Sequence, residues 1–218
     1  MGQSRLLALE RFRTMEKILA VIGTGFCMHE RRNTIEQTWG KDIDHIYFSD
    51  HEANNIIKVT SETEYRFGEL KQVNIINMFP SDLLEKYEWV IFVDDDTFVN
   101  AKLLKENLQF FDANSVHGRL INCWHPDLSL YYPSGGAGFV MSTKLIKDIK
   151  GQLQYLKTGF GDVTLGIFFR EKKINLIQND LFKSHTPNDE NISDVENYFT
   201  FHYIKTFDEM NELYLKCN

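Results

Sequence analysis

Trp89-Val90-Ile91-Phe92-Val93-Asp94-Asp95-Asp96-Thr97-Phe98-Val99 is the stretch on which the reading of this sequence turns. Five apolar residues run into three consecutive carboxylates, and apolar residues resume soon after. Desolvating an unpaired charge is expensive, so the acids cannot lie inside a buried strand. They belong where a strand leaves a sheet and enters a polar pocket, the edge at which open α/β sheets bind ligands. Three adjacent acids also repel one another, so the pocket calls for a cation. Side chains alternate along an extended segment, which sets Asp94 and Asp96 on one side and Asp95 on the other. Of a same-side pair, one carboxylate can hold a metal while the other accepts hydrogen bonds from a ribose or sugar hydroxyl. Oxygen ligands favour Mg²⁺, Mn²⁺ or Ca²⁺. The plain alternative is a solvated acidic turn.

Working outward, strand and helix signals alternate. An apolar run over 18–23 ends in glycine and reads as a first strand. Helical spacing covers 30–39, with Ile35 and Trp39 four apart. Short strands are expected over 45–48 and 56–59, and 62–78 is ambiguous between helix and strand. Pro80 opens a helix to Tyr87, capped by Ser81 or Asp82. An amphipathic helix is expected over 100–111 and a strand over 120–124. A glycine-rich turn over 133–138 precedes a strand over 139–141. Ser142 or Thr143 caps a helix to about Leu156. A helix over 162–172, a strand over 174–178 and a closing helix over 207–215 complete the chain. The fold class is α/β, with one mixed, mostly parallel sheet flanked by helices.

Composition agrees with one domain over 18–218, preceded by a leader or short helix over 1–17. The 218 residues are 43% hydrophobic, and 31 acids against 24 bases give a net charge of -7. That balance argues against nucleic acid as a partner. Cys27, Cys123 and Cys217 have no metal-finger spacing. No apolar run approaches the ~18 residues of a membrane span. A cytoplasmic location is expected, with the Golgi lumen as the alternative if an anchor precedes this sequence.

Two further segments carry candidate chemistry. Gly135-Gly136-Ala137-Gly138 lets backbone approach a ligand closely, or is a plain tight turn. Asp162 opens a helix, where an aspartate is ordinarily a cap.

The acidic run Asp94-Asp95-Asp96-Thr97-Phe98-Val99 resembles the DxD element of the Fringe-like β-1,3-glycosyltransferases. Other segments are similar to that family in the same order: 32–39 to its arginine-to-Thr-Trp helix, 47–50 to its second-strand ending, and 134–139 to its Gly-Gly-Ala-Gly turn. The segment 161–166 is similar to its Asp-Asp-x-Thr-x-Gly element, and 181–185 to the Leu-Phe-His-Ser-His ending. The resemblance implies a GT-A-like single domain. It implies an inverting enzyme that moves a hexose or N-acetylhexosamine from a UDP-sugar to a glycan or glycosylated acceptor. The alternative is a non-catalytic nucleotide-sugar or glycan-binding protein on the same fold.

The resemblance also distributes roles. Asp162 becomes the catalytic base. Asp96 and His185 hold Mn²⁺, or Mg²⁺, with His202 in Phe201-His202-Tyr203 as the rival histidine. Asp94 and Asp95 contact the nucleotide, Thr24 and Asp50 line a uridine pocket, and Arg32 pairs with the diphosphate. The backbone of Gly135, Gly136, Ala137 and Gly138 lies beside donor sugar and acceptor.

Overall fold

The computed structural model describes residues 17–53, 55–63, 68–125 and 128–218. The leader or short helix expected over 1–17 lies outside them, Lys17 excepted. The strands are β1 (Ile18–Gly23), β2 (Asp44–Ser49), β3 (Ile56–Lys58), β4 (Trp89–Asp94), β5 (Phe98–Val99), β6 (Ser115–Gly118), β7 (Leu120–His125), β8 (Leu128–Pro133), β9 (Phe139–Ser142), β10 (Asn175–Gln178), β11 (Phe182–Lys183) and β12 (Thr200–Phe201). The helices are α1 (His29–Gln37), α2 (Gly68–Asn77), α3 (Ser81–Lys86), α4 (Ala101–Asn107), α5 (Thr143–Ile149), α6 (Gly161–Glu171) and α7 (Phe207–Cys217).

Seven strands form the main sheet in the order β10-β6-β9-β4-β1-β2-β3. Only β9 runs against its neighbours, β4 and β6; the other pairings are parallel. The central strands are apolar on both faces because both faces are covered. Ile18, Ala20 and Ile22 of β1, with Ile91 and Val93 of β4, pack under Ile35 of α1, Leu104 of α4 and Met210 and Leu213 of α7. Leu19, Val21, Val90 and Phe92 point the other way, onto Val73 and Ile76 of α2, Leu84 of α3, Ile146 of α5 and Phe169 of α6. Burying one such large side chain contributes roughly 1.5–3 kcal/mol. A second, three-stranded sheet has the order β11-β12-β5, and β7 and β8 form a hairpin.

Several local expectations change. The ambiguous stretch contains the helix α2, whose apolar residues fall at helical spacing. Pro80 takes the N-cap position of α3, and neither Ser81 nor Asp82 caps it. Ser142 does cap α5, accepting from the Leu145 N–H at 3.0 Å. That helix stops at Ile149, short of Leu156, and Gly151 follows with φ of +79°. Among the described residues, no helix is long and apolar enough to cross a membrane.

Candidate functional site

Strand register gathers the candidate residues. Gly23, the last residue of β1, pairs with Phe48 on one side and Asp94 on the other. Thr24, Asp50 and the acidic run therefore leave the sheet at the same edge. β9 runs antiparallel with Phe139 opposite Phe92, so the turn over 135–138 enters at this edge too. The Gly138 N–H closes that turn on the Gly135 carbonyl at 3.1 Å.

The strand proper ends at Asp94, and the Thr97 N–H bonds back to the Asp94 carbonyl at 3.1 Å. The three carboxylates separate into two environments. Asp95 accepts from the Thr24 hydroxyl at 2.7 Å and from Arg31 Nη1 at 2.8 Å. Asp96 sits 3.1 Å from His202 Nε2, with Arg31 at 3.4 Å, and Asp94 is 3.9 Å from the same imidazole nitrogen. One ligand atom from each of Asp94, Asp96 and His202 lies within 4.8 Å of the others. Two oxygens and an imidazole nitrogen at that spacing could hold a divalent ion.

The histidine in this group is His202, not His185, and the small sheet explains why. β12 pairs directly with β5, which follows the acidic run, with Phe201 opposite Phe98. His202 is thus delivered beside Asp96, and the Ile204 N–H bonds to the Asp96 carbonyl at 2.9 Å. β11 lies one strand further out, and His185, two residues past it, is not among the clustered ligand atoms. Its ring instead stacks against Tyr203, which also stacks on His202.

Electrostatics divide the same groups. Asp94 is held above the ordinary carboxylate range, first by hydration lost to the protein around its carboxyl and then by repulsion from Asp96, Asp95 and Asp162, against the pull of His202, although its side chain is still half exposed. Burial also raises Asp95 in spite of Thr24 and Arg31. For Asp96 burial pushes upward, but the His202 hydrogen bond and charge, with Arg31 and Lys205, bring it below the ordinary value. Asp96 is therefore the group best held as an anion without added metal.

Asp162 lies in the first turn of α6, but the N-cap position belongs to Phe160. Its carboxyl accepts from the Val163 N–H at 2.9 Å and, weakly, from the Gly135 N–H at 3.4 Å. Burial raises its pKa against these backbone donors. The next glycine meets the other group: a Cβ built on Gly136 would lie 2.1 Å from Cε1 of His202. Two adjacent glycines thus stand between Asp162 and the Asp94–Asp96–His202 group. Thr97 and Thr200 fix this turn by donating to the carbonyls of Gly136 and Ala137.

At the far side of β1, Asp50 is buried and pairs with Lys71 Nζ at 2.7 Å. Burial raises the Asp50 carboxyl, but hydrogen bonds and charge from Lys71, with His51 and Ser49, bring it below its usual value. Arg32 reaches the Gly25 carbonyl at 3.0 Å and Thr24 Oγ1 at 3.4 Å. Neither Arg31 nor Lys71 was among the residues singled out from the sequence. Arg31 had a signal in being one of two adjacent arginines on the helix after β1; Lys71 had none outside the ambiguous stretch.

Solved structures share the fold, among them three glycosyltransferases. A glycosyltransferase involved in glycosylation of the major capsid of PBCV-1 aligns with a TM-score of 0.56 and 14% identity, over 91% of this chain and 99% of that one. The glycosyltransferase GlyE of Streptococcus pneumoniae TIGR4 aligns at 0.54 and 12%, over 91% of this chain and 60% of that one. The bifunctional glycosyltransferase WbbM aligns at 0.53 and 12%, over 92% and 50%. The chain therefore spans nearly all of the first but only part of the other two. A family model described as Fringe-like matches residues 13–217. With that match over nearly its whole length, the chain belongs to the Fringe-like family and has the fold of the GT-A glycosyltransferases.

Proposed function

We propose that this protein is an inverting, metal-dependent glycosyltransferase. It moves a hexose or N-acetylhexosamine from a UDP-sugar to a hydroxyl of a glycan or glycosylated acceptor, forming a β-1,3 linkage. The observation that supports this best is the pairing across the glycine turn. A half-buried carboxyl with a raised pKa lies on one side, and a two-carboxylate, one-imidazole group lies on the other.

In this reading Asp162 accepts the proton of the acceptor hydroxyl as that oxygen attacks the anomeric carbon. The bond from that carbon to the diphosphate oxygen breaks on the opposite face, and its electron pair leaves with UDP. One displacement inverts the centre and needs no second carboxylate nucleophile. A raised pKa makes Asp162 a stronger base once ionised, and a positioned general base commonly supplies ~10²–10⁴-fold in rate. Asp94, Asp96 and His202 would hold a divalent ion. Such an ion, when bound, stabilises negative charge developing on the leaving diphosphate. Arg31 keeps Asp95 turned away toward Thr24 and neutralises part of the cluster's charge. Arg32, with Thr24, stands where the diphosphate would pass, and Asp50 with Lys71 bounds the nucleotide end.

A screen for UDP release over UDP-sugar donors and glycan acceptors, with Mn²⁺ and with chelator, tests the proposal. Metal-dependent release that requires an acceptor and disappears in Asp162→Asn is the expected result. Binding of UDP-sugars without turnover across the panel would support a non-catalytic nucleotide-sugar-binding protein instead.

A further inference from the structure

Glu69 is fully buried in the first turn of α2. A carboxyl placed there is costly unless its oxygens are satisfied. Its Oε1 accepts from the Leu156 N–H at 3.0 Å and from the Thr164 hydroxyl at 2.7 Å. Its Oε2 accepts from the Gly159 N–H at 2.8 Å. These donors lie on the segment that leads into α6 and on the first turn of α6 itself, on both sides of Asp162.

A second contact ties the same elements. Gln72, one turn along α2 and on the same face, fills the space beside Gly161. A Cβ built on Gly161 would stand 2.0 Å from Gln72 Oε1. Gln72 also reaches the glycine turn, with its Nε2 3.6 Å from the Cβ position of Gly135. Thr158 adds local closure: its hydroxyl lies 2.8 Å from both the Thr164 hydroxyl and the Phe160 carbonyl and donates its one proton to either. One face of α2 therefore holds both the start of α6 and the turn that Asp162 approaches.

We propose that Glu69 is a positioning residue: its buried carboxyl locks the entry to α6 onto α2 and thereby sets where the Asp162 carboxyl stands relative to the Gly135 N–H. The inference rests on Asp162 as the base for its catalytic consequence, but the placement itself is measurable without turnover. Glu69→Gln keeps the shape and replaces one acceptor oxygen by a donor. Whichever way the amide turns, at least one of the three donors then faces an NH₂ group. A misplacement of about 1 Å at a reacting group can cost ~10²-fold in rate.

The test compares Glu69→Gln, Thr164→Val and Asp162→Asn with the parent protein. Amide hydrogen exchange at Gly135 and Gly159 reads the placement. UDP–Mn²⁺ affinity by calorimetry reads the nucleotide site, and turnover reads the chemistry. In Glu69→Gln both amides exchange faster, kcat falls about 10–100-fold, and UDP–Mn²⁺ affinity stays within about twofold. Thr164→Val, which removes one of the three bonds, moves in the same direction by less, and it carries the test if Glu69→Gln does not fold. Unchanged protection at Gly135, or loss of UDP–Mn²⁺ affinity in step with kcat, overturns the positioning role. Full turnover in Asp162→Asn overturns the base assignment instead, whatever the exchange at Gly135 shows.

Discussion

A Cβ on Gly136 would lie 2.1, 2.3 and 2.6 Å from Cε1, Nδ1 and Nε2 of His202, so the imidazole lies flush against the glycine backbone. No side chain fits between them, and the ring that meets Asp96 is held in place by that absence. Gly136→Ala therefore has to push the imidazole away from Asp96. The expected outcome is a Mn²⁺ affinity lower by about 10–100-fold, the range seen when ligand orientation is lost, with the far-UV circular dichroism unchanged. Titration calorimetry with MnCl₂ and UDP checks it. Unaltered affinity would detach His202 from metal binding.

The two histidines can be separated directly. His202→Ala removes the imidazole within 3.1 Å of Asp96, whereas His185→Ala removes a ring stacked on Tyr203. The first variant is expected to lose Mn²⁺-dependent UDP binding and the second to retain it. The reverse pattern would move the metal site to the end of β11.

Asp162→Asn should uncouple stability from activity. The folded protein holds the Asp162 pKa above its unfolded value, chiefly by burial. Below the unfolded pKa both states are protonated and the shift has no effect. As pH rises through the folded pKa the half-buried carboxylate must form, and stability is lost. Asparagine removes that loss; its single oxygen keeps the Val163 N–H bond, and its NH₂ then faces the Gly135 N–H, the longer contact at 3.4 Å. The variant is expected to melt on the order of a few degrees higher at pH 7–8, with the gain vanishing near pH 3–4. Transfer falls by ~10²-fold or more. In the parent, the acid limb of the rate profile should lie above the ordinary aspartate range. A variant that melts lower at pH 8 would mean that the carboxylate stabilises the fold.

Particular residues show what local sequence can and cannot carry. The strand ends at Gly23 and Asp94 are legible because apolar runs stop there and chemistry begins. The helix start at Asp162 is legible from its glycine-rich approach. His202 is harder, since it depends on the two-residue strand β12 pairing with β5. Two-residue strands have no periodicity of their own, and their pairing is made by contacts about 100 residues apart in sequence. β6, four residues long, also depends on its neighbours in the sheet. Arg31 illustrates a third limit. Adjacent helical residues point about 100° apart, so the choice between Arg31 and Arg32 depends on how α1 is rotated on the sheet. That rotation is set by Ile35, which α1 buries.

The arginine pair yields the last test. Arg31 holds Asp95 at 2.8 Å and Asp96 at 3.4 Å, and its guanidinium is itself raised in pKa, with burial opposing and Asp95 leading the favourable contacts. Arg31→Ala leaves the nearly buried Asp95 with only the Thr24 hydroxyl among the side-chain partners described here. Losing a charge-assisted bond at a part-exposed arginine costs about 1–3 kcal/mol, read as a melting temperature lower by roughly 2–10 °C. The loss depends on Asp95 being ionised, and burial already raises its pKa. Without Arg31 that pKa moves higher still, so the deficit is largest at alkaline pH and closes as acid protonates the carboxyl. Arg32→Ala removes bonds to the Gly25 carbonyl and Thr24 only, and its cost is expected within ~1 kcal/mol at every pH. Thermal melts of both variants from pH 4 to 9 decide the matter. A larger, pH-dependent deficit in Arg32→Ala would make Arg32 the cation that balances the acidic run.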